Sequence, residues 1–131
     1  MSNQTQQNIA LVQKGYEAFA KGDIETVMSL YDDEIEWVQP GESTISGTYH
    51  GKAEIGELLK RLGEKTTVVQ AQRFFADGDT VVVLSEATVG GETSQDVEVF
   101  TLRDGKTIRA RTCGDTALME RVYGKKAVGA R

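Results

Sequence analysis

The sequence is poor in the residues from which most reactive sites are made. Its 131 residues include one Cys, one His, one Pro and one Trp. With Cys113 alone, no internal disulfide can form, and a reducing compartment is the default. The thiol reads as a packed side chain rather than a nucleophile. With His50 alone, and neither paired histidines nor a CxxC, the usual zinc and iron sites are disfavoured. GxxxxGK[ST], GxGxxG and GxSxG are all missing, which leaves nucleotide cradles and the hydrolase elbow without support. No apolar run approaches the roughly 18 residues of a membrane span, and the opening MSNQTQQN lacks a signal-peptide core. Positive charge is in deficit too. Lys and Arg number 15 against 20 Asp and Glu, and a net charge of −5 would be repelled by nucleic acid or an anionic membrane. The expectation is a cytoplasmic protein whose partners are small molecules or proteins, with carboxylate chemistry or none, and no metal or organic cofactor.

What is present is periodic. Ile9, Val12, Tyr16 and Phe19 recur at helical spacing, and Gly22 follows Lys21 as a stop, so a helix is predicted from about Asn8 to Lys21. Asp23 caps a short second helix carrying Ile24, Val27, Met28 and Tyr31. A third stripe, Ile55, Leu58, Leu59 and Leu62, predicts a third helix, with Gly56 as a possible bend. After Gly63 the period becomes that of strands. TTVVQAQRFF, TVVVLSEATV, SQDVEVFTLR and TIRARTCG are separated by the turn signals DGD, GGE and DGK, and EIEWVQ reads as a further strand. Helices followed by a meander make an α+β pattern. One domain is expected over 1–124, with 125–131 as a flexible C-terminal tail.

In combination, AFAKGDIETVMSLYDDEIEWVQPG, SGTYHGKAEIGELL, FADGDTVVVLSEATV and VEVFTLRDGKTIRA resemble the SnoaL-like branch of the nuclear transport factor 2-like superfamily. The resemblance runs from about residue 8 to 120. It implies a cystatin-like roll: three N-terminal helices packed in a strongly curved, mostly antiparallel sheet that forms a cone-shaped, mostly apolar pocket, commonly in a homodimer formed through the sheet. The superfamily includes ketosteroid isomerases, polyketide cyclases, epoxide hydrolases and binding domains without catalysis, so fold alone does not fix function.

Carried over residue by residue, the resemblance fails at informative places. The isomerase pattern puts its proton-shuttling aspartate immediately before the proline, where this chain has Gln39, and an amide cannot take a proton from carbon. The isomerase oxyanion tyrosine falls on Gly15, one residue from Tyr16, and its protonated aspartate on Glu98. The Asp-Arg-Asp arrangement of the epoxide hydrolases falls on Glu86, Thr88 and Thr112, which match none of it.

Alternation puts Val82, Leu84, Glu86 and Thr88 on one strand face and Glu98, Phe100 and Leu102 on another. Each Glu keeps apolar company. The residues alone leave open whether these faces line a pocket or whether Val81, Val83, Val97 and Val99 line the core instead. A two-residue hairpin loop at Gly90-Gly91 would set Glu86 opposite Gln95 and away from Glu98, while a loop one residue longer would bring the two Glu to one face. The resemblance favours the longer loop and places Glu98 in the pocket. The resulting expectation is a small hydrophobic-molecule pocket protein, either a cofactor-independent isomerase or cyclase or a non-catalytic binding or association dimer. Glu98 would be the acid or base and Glu86 its charge partner, with Arg73 as an alternative match. Gln39 would orient a ligand oxygen, and Tyr16 would be a further donor. Trp37, Phe19, Leu84 and Phe100 would line the cone, and His50 would stand at its mouth or open the third helix.

Overall fold

The computed structural model describes residues 3–127. In chain order the elements are α1 (Asn3–Ala20), α2 (Ile24–Ser29), β1 (Tyr31–Gln39), β2 (Gly47–His50), α3 (Gly51–Lys65), β3 (Thr66–Asp77), β4 (Thr80–Val89), β5 (Glu92–Arg103), β6 (Lys106–Cys113) and α4 (Thr116–Tyr123). All six strands form one sheet in the order β2-β1-β6-β5-β4-β3. Every pairing is antiparallel except β1 with β6. The sheet curves without closing, and α1 and α3 pack into its concave side, where Ile35, Ile55, Val81 and Val83 are fully buried.

Local chemistry sets the joints. Gly22 adopts φ 74° at the end of α1, and Asp23 then caps α2 by accepting from the Thr26 amide at 3.1 Å. The β4–β5 turn is decisive for the site. Gly90 and Gly91 both have positive φ, 57° and 83°, as a two-residue hairpin turn with the twist of its strands requires. Val89 therefore pairs with Glu92, and the register continues through Glu86 opposite Gln95 to Val81 opposite Phe100.

Several boundaries differ from the sequence expectation. Tyr31, expected as the last apolar position of the second helix, opens β1, because α2 stops at Ser29. α1 begins earlier, α3 runs unbroken through Gly56, and β2 and α4 are additional. The C-terminal boundary is tighter too: Ser43 forms a bridge with Lys125, and the Lys126 amide bonds to the Glu42 carbonyl at 2.8 Å. Those two residues are tied to the domain, while 128–131 of the expected tail lie outside the described residues.

Candidate functional site

The concave side of the sheet, closed over by α1, α3 and α4, leaves a cavity of about 160 Å³ that opens to solvent. Its wall is mostly apolar, with Tyr16, Phe19, Tyr31, Trp37 and Phe100 supplying aromatic surface. Tyr16 is held edge-on between Phe74 and Phe100, with ring centroids 6.2 and 6.1 Å away, a geometry that fixes its hydroxyl direction.

That hydroxyl reaches Glu98. Tyr16 Oη donates to Glu98 Oε1 at 2.5 Å, and Ser85 Oγ donates to the same oxygen at 2.8 Å. Glu98 is only 9% exposed and Ser85 1%. Burial pushes the Glu98 carboxyl up from its ordinary range, and the two hydroxyl bonds pull it partly back, while nearby Asp96 adds a further upward push. Burial, the Glu98 charge and the bond to it push the Tyr16 hydroxyl far up, so it stays a proton donor. Since Oε1 already accepts twice, Oε2 is the oxygen left for a ligand, and a proton on the carboxyl would sit there. The arrangement is a hydroxyl-braced carboxyl group in an apolar chamber, held where it can exchange a proton or hydrogen bond with a ligand oxygen.

Across β6 lies a second polar station. Gln39 is 8% exposed, lines the cavity, and accepts from Trp37 Nε1 at 3.1 Å through its Oε1. Its Nε2 is thereby left as the donor. Gln39 continues the β1–β6 register one step beyond Val38 opposite Arg111, next to Thr112, which pairs with Glu98 on β5. Gln39, Thr112 and Glu98 thus form a polar row across the cone floor, with neighbouring strands about 4.8 Å apart.

Of the site residues expected from sequence, Tyr16, Phe19, Trp37, Gln39, Glu98 and Phe100 line the cavity. Glu86, Leu84 and His50 do not. The two-glycine turn sets the even residues of β4 on the convex face, so Glu86 and Leu84 sit opposite Gln95 and Val97 there, while Val81, Val83 and Ser85 face inward. The longer loop favoured by the resemblance is corrected by that register. Arg73 belongs to the convex face as well, with its guanidinium 4.8 Å from the Phe75 ring centroid, so it is no charge partner for Glu98. His50 is exposed at the start of α3, where its amide bonds to Glu54 Oε1 at 2.9 Å and Nδ1 lies 4.0 Å from Glu36. Asp115 caps α4 by accepting from the Leu118 amide at 2.9 Å. Among the described residues no group of three or more His, Cys, Asp and Glu is placed to hold a metal ion.

Sequence reasoning missed Ser85 and Asp96, and set Tyr31 on the apolar stripe of the second helix rather than in the cavity lining. Burial pushes the Tyr31 hydroxyl up, and Asp96 is also raised by burial, with a smaller push from Asp115. The signal for Asp96 was available: two residues before Glu98 on one strand, it shares whichever face Glu98 occupies.

A curved, unclosed sheet wrapped around helices and an apolar chamber is the architecture of the nuclear transport factor 2-like class. The SnoaL-like domain model matches residues 12–110, and the chain belongs to that family. It is similar to Bal32a from a soil-derived mobile gene cassette, with 26% identity over 92% of this chain and 99% of that one, TM-score 0.85. It is also similar to TerC, co-crystallized with polyporic acid, at 30% identity over 89% and 98% of the two chains, TM-score 0.78. An NTF2-like protein from Burkholderia xenovorans LB400 aligns at 29% identity over 91% and 97%, TM-score 0.74. No curated protein matches the chain significantly.

Proposed function

We propose that the protein binds a small, hydrophobic, carbonyl-bearing molecule in the cone and performs cofactor-independent acid/base chemistry of the isomerase or cyclase type on it. The observation that carries this reading is the double hydroxyl donation to Glu98 Oε1, which leaves Oε2 for the ligand, as a donor when the carboxyl holds its proton. A hydrogen bond offered in a dry, apolar site strengthens as negative charge grows on the ligand oxygen, the condition for lowering the barrier to enolate formation. Gln39 Nε2 supplies a second donor for an oxygen further along the ligand. TerC, co-crystallized with polyporic acid, supports a ligand of this kind. Native mass spectrometry of protein purified without denaturation tests it: a retained small molecule, released by unfolding and lost in Glu98→Ala, is the expected result. Absence of any ligand, together with no binding across a panel of hydrophobic ketones, would overturn it.

A second reading, an association dimer without catalysis, draws on the convex face. Val82, Leu84, Val97 and Val99 form an aliphatic strip there, beside Phe75 at 43% exposure. Such a strip suits a partner sheet, and homodimer formation is compatible with either reading. The Cys113 thiol, expected as a packed side chain, is instead exposed at the end of β6, and a free exposed thiol suits a reducing, cytoplasmic setting.

A further inference from the structure

The chamber contains a second carboxylate that the reading above does not use. Asp96 precedes Glu98 by two residues on β5, so both project inward, about 7 Å apart along the strand. Ser94 Oγ donates to Asp96 Oδ1 at 3.0 Å and fixes one oxygen. The neighbouring chain segment at the end of β6 is cut back for it. A Cβ built on Gly114 would overlap Asp96 Oδ1 and lie 2.8 Å from its Cγ, so the space the carboxylate occupies exists because position 114 has no side chain. The other titratable groups of the lining are Glu98, Tyr16, Tyr31 and Asp115. Asp115 is engaged with the Leu118 amide, and no Lys, Arg or His contributes to the wall among the described residues. Asp96 is more exposed than Glu98, which suits it to carrying the charge while Glu98 carries the proton.

We propose that Asp96 is the general base of this site, removing a proton from the carbon next to the ligand's carbonyl while Glu98 holds the carbonyl oxygen. The inference rests on the carbonyl-pocket reading and adds to it the group that the isomerase-like position, occupied by Gln39, cannot supply. A carbonyl oxygen, its α-carbon and a hydrogen-bond length at each end span about 8 Å, comparable with the roughly 7 Å between these two positions along the strand. The step balances without a cofactor. The C–H bond breaks, its proton forms an O–H bond on the free Asp96 Oδ2, and the electron pair moves into the enolate, whose oxygen accepts from Glu98 Oε2. Asp96 then returns the proton to the same carbon or, in a β,γ-unsaturated ketone, to the γ-carbon with a shift of the double bond.

The test uses 2-tetralone, a bicyclic ketone with acidified α-protons, in D₂O. Binding is read from the Trp37 indole resonance, and exchange from loss of the α-proton signals. The expected result is saturable binding and exchange faster than in buffer. Asp96→Asn should lower the protein-catalysed rate by about 100-fold or more with binding retained. Gly114→Ala, which displaces the carboxylate without removing it, should lower the rate similarly, while Glu86→Gln on the convex face should leave it unchanged. Binding without accelerated exchange, or wild-type exchange in Asp96→Asn, would overturn Asp96 as the base and leave the pocket reading standing. No binding would overturn both.

Discussion

Replacing Glu98 with Gln removes one titration from the interior and leaves its shape. The amide carbonyl takes the place of Oε1 as acceptor for Tyr16 and Ser85, and the amide NH₂ takes the place of Oε2. Burial raises the folded-state pKa of Glu98 above its ordinary 4.5. The sign follows from linkage. A raised carboxyl contributes stability that is fully present below the unfolded pKa and is lost as pH rises through the folded one. Within that window wild type loses about 1.4 kcal/mol per pH unit relative to the variant. Asp96 is raised as well, but it is present in both proteins and largely cancels from their difference. Over one pH unit of window, the variant gains about 4 °C in Tm on wild type for a chain of this length. Glu98→Ala instead strips the acceptor from two hydroxyls and costs about 2–3 kcal/mol at either pH. Urea unfolding of the three proteins at pH 5 and pH 8 gives both numbers. A wild type to Glu98→Gln difference that is the same at the two pH values would refute the placement of an elevated acid at the cone floor.

Three further outcomes follow from other parts of the fold. Ile35→Ala, at a fully buried position of β1, should destabilise by about 2–5 kcal/mol in urea, and a loss under 1 kcal/mol would contradict the packing described. Asp115→Ala removes the cap of α4 and should cost about 1 kcal/mol while the Glu98 acid keeps its titration by carboxyl NMR. Val97→Glu, in the convex aliphatic strip, should convert a dimer to a folded monomer in sedimentation, and a wild type that sediments as a monomer at micromolar concentration would remove the sheet-face interface.

Much of the architecture was legible because its strands are runs rich in β-branched residues bounded by glycine turns: β4 spans the TVVVLSEATV read from sequence, and the helical stripes of α1 and α3 are the faces that pack. The site was legible only in half. Glu98 could be placed only because the resemblance puts an acid at that position, and its supposed partner Glu86 lies on the other side of the sheet. One residue of loop length decides that, and Gly90-Gly91 satisfies either reading as a string of letters until the register is seen. β4 is also apolar on both faces, so hydrophobicity could not say that Val83 and Ser85, rather than Leu84 and Glu86, look inward. α4 escaped notice because its eight residues follow the last strand directly, with only Asp115 to announce the start.

The single tryptophan gives the most direct test of the chamber as a ligand site. Trp37 lines it, and its indole N–H is bonded to Gln39, so any molecule that engages the Gln39 amide disturbs one unambiguous resonance. Titration of 2-tetralone against ¹⁵N-labelled protein should move the Trp37 indole peak to saturation in wild type, and Glu98→Ala should weaken the binding by about tenfold, the loss of roughly one 1.4 kcal/mol hydrogen bond to the carbonyl. An indole peak that stays fixed up to the solubility limit of the ketone, or moves with the same affinity in Glu98→Ala, would contradict the account.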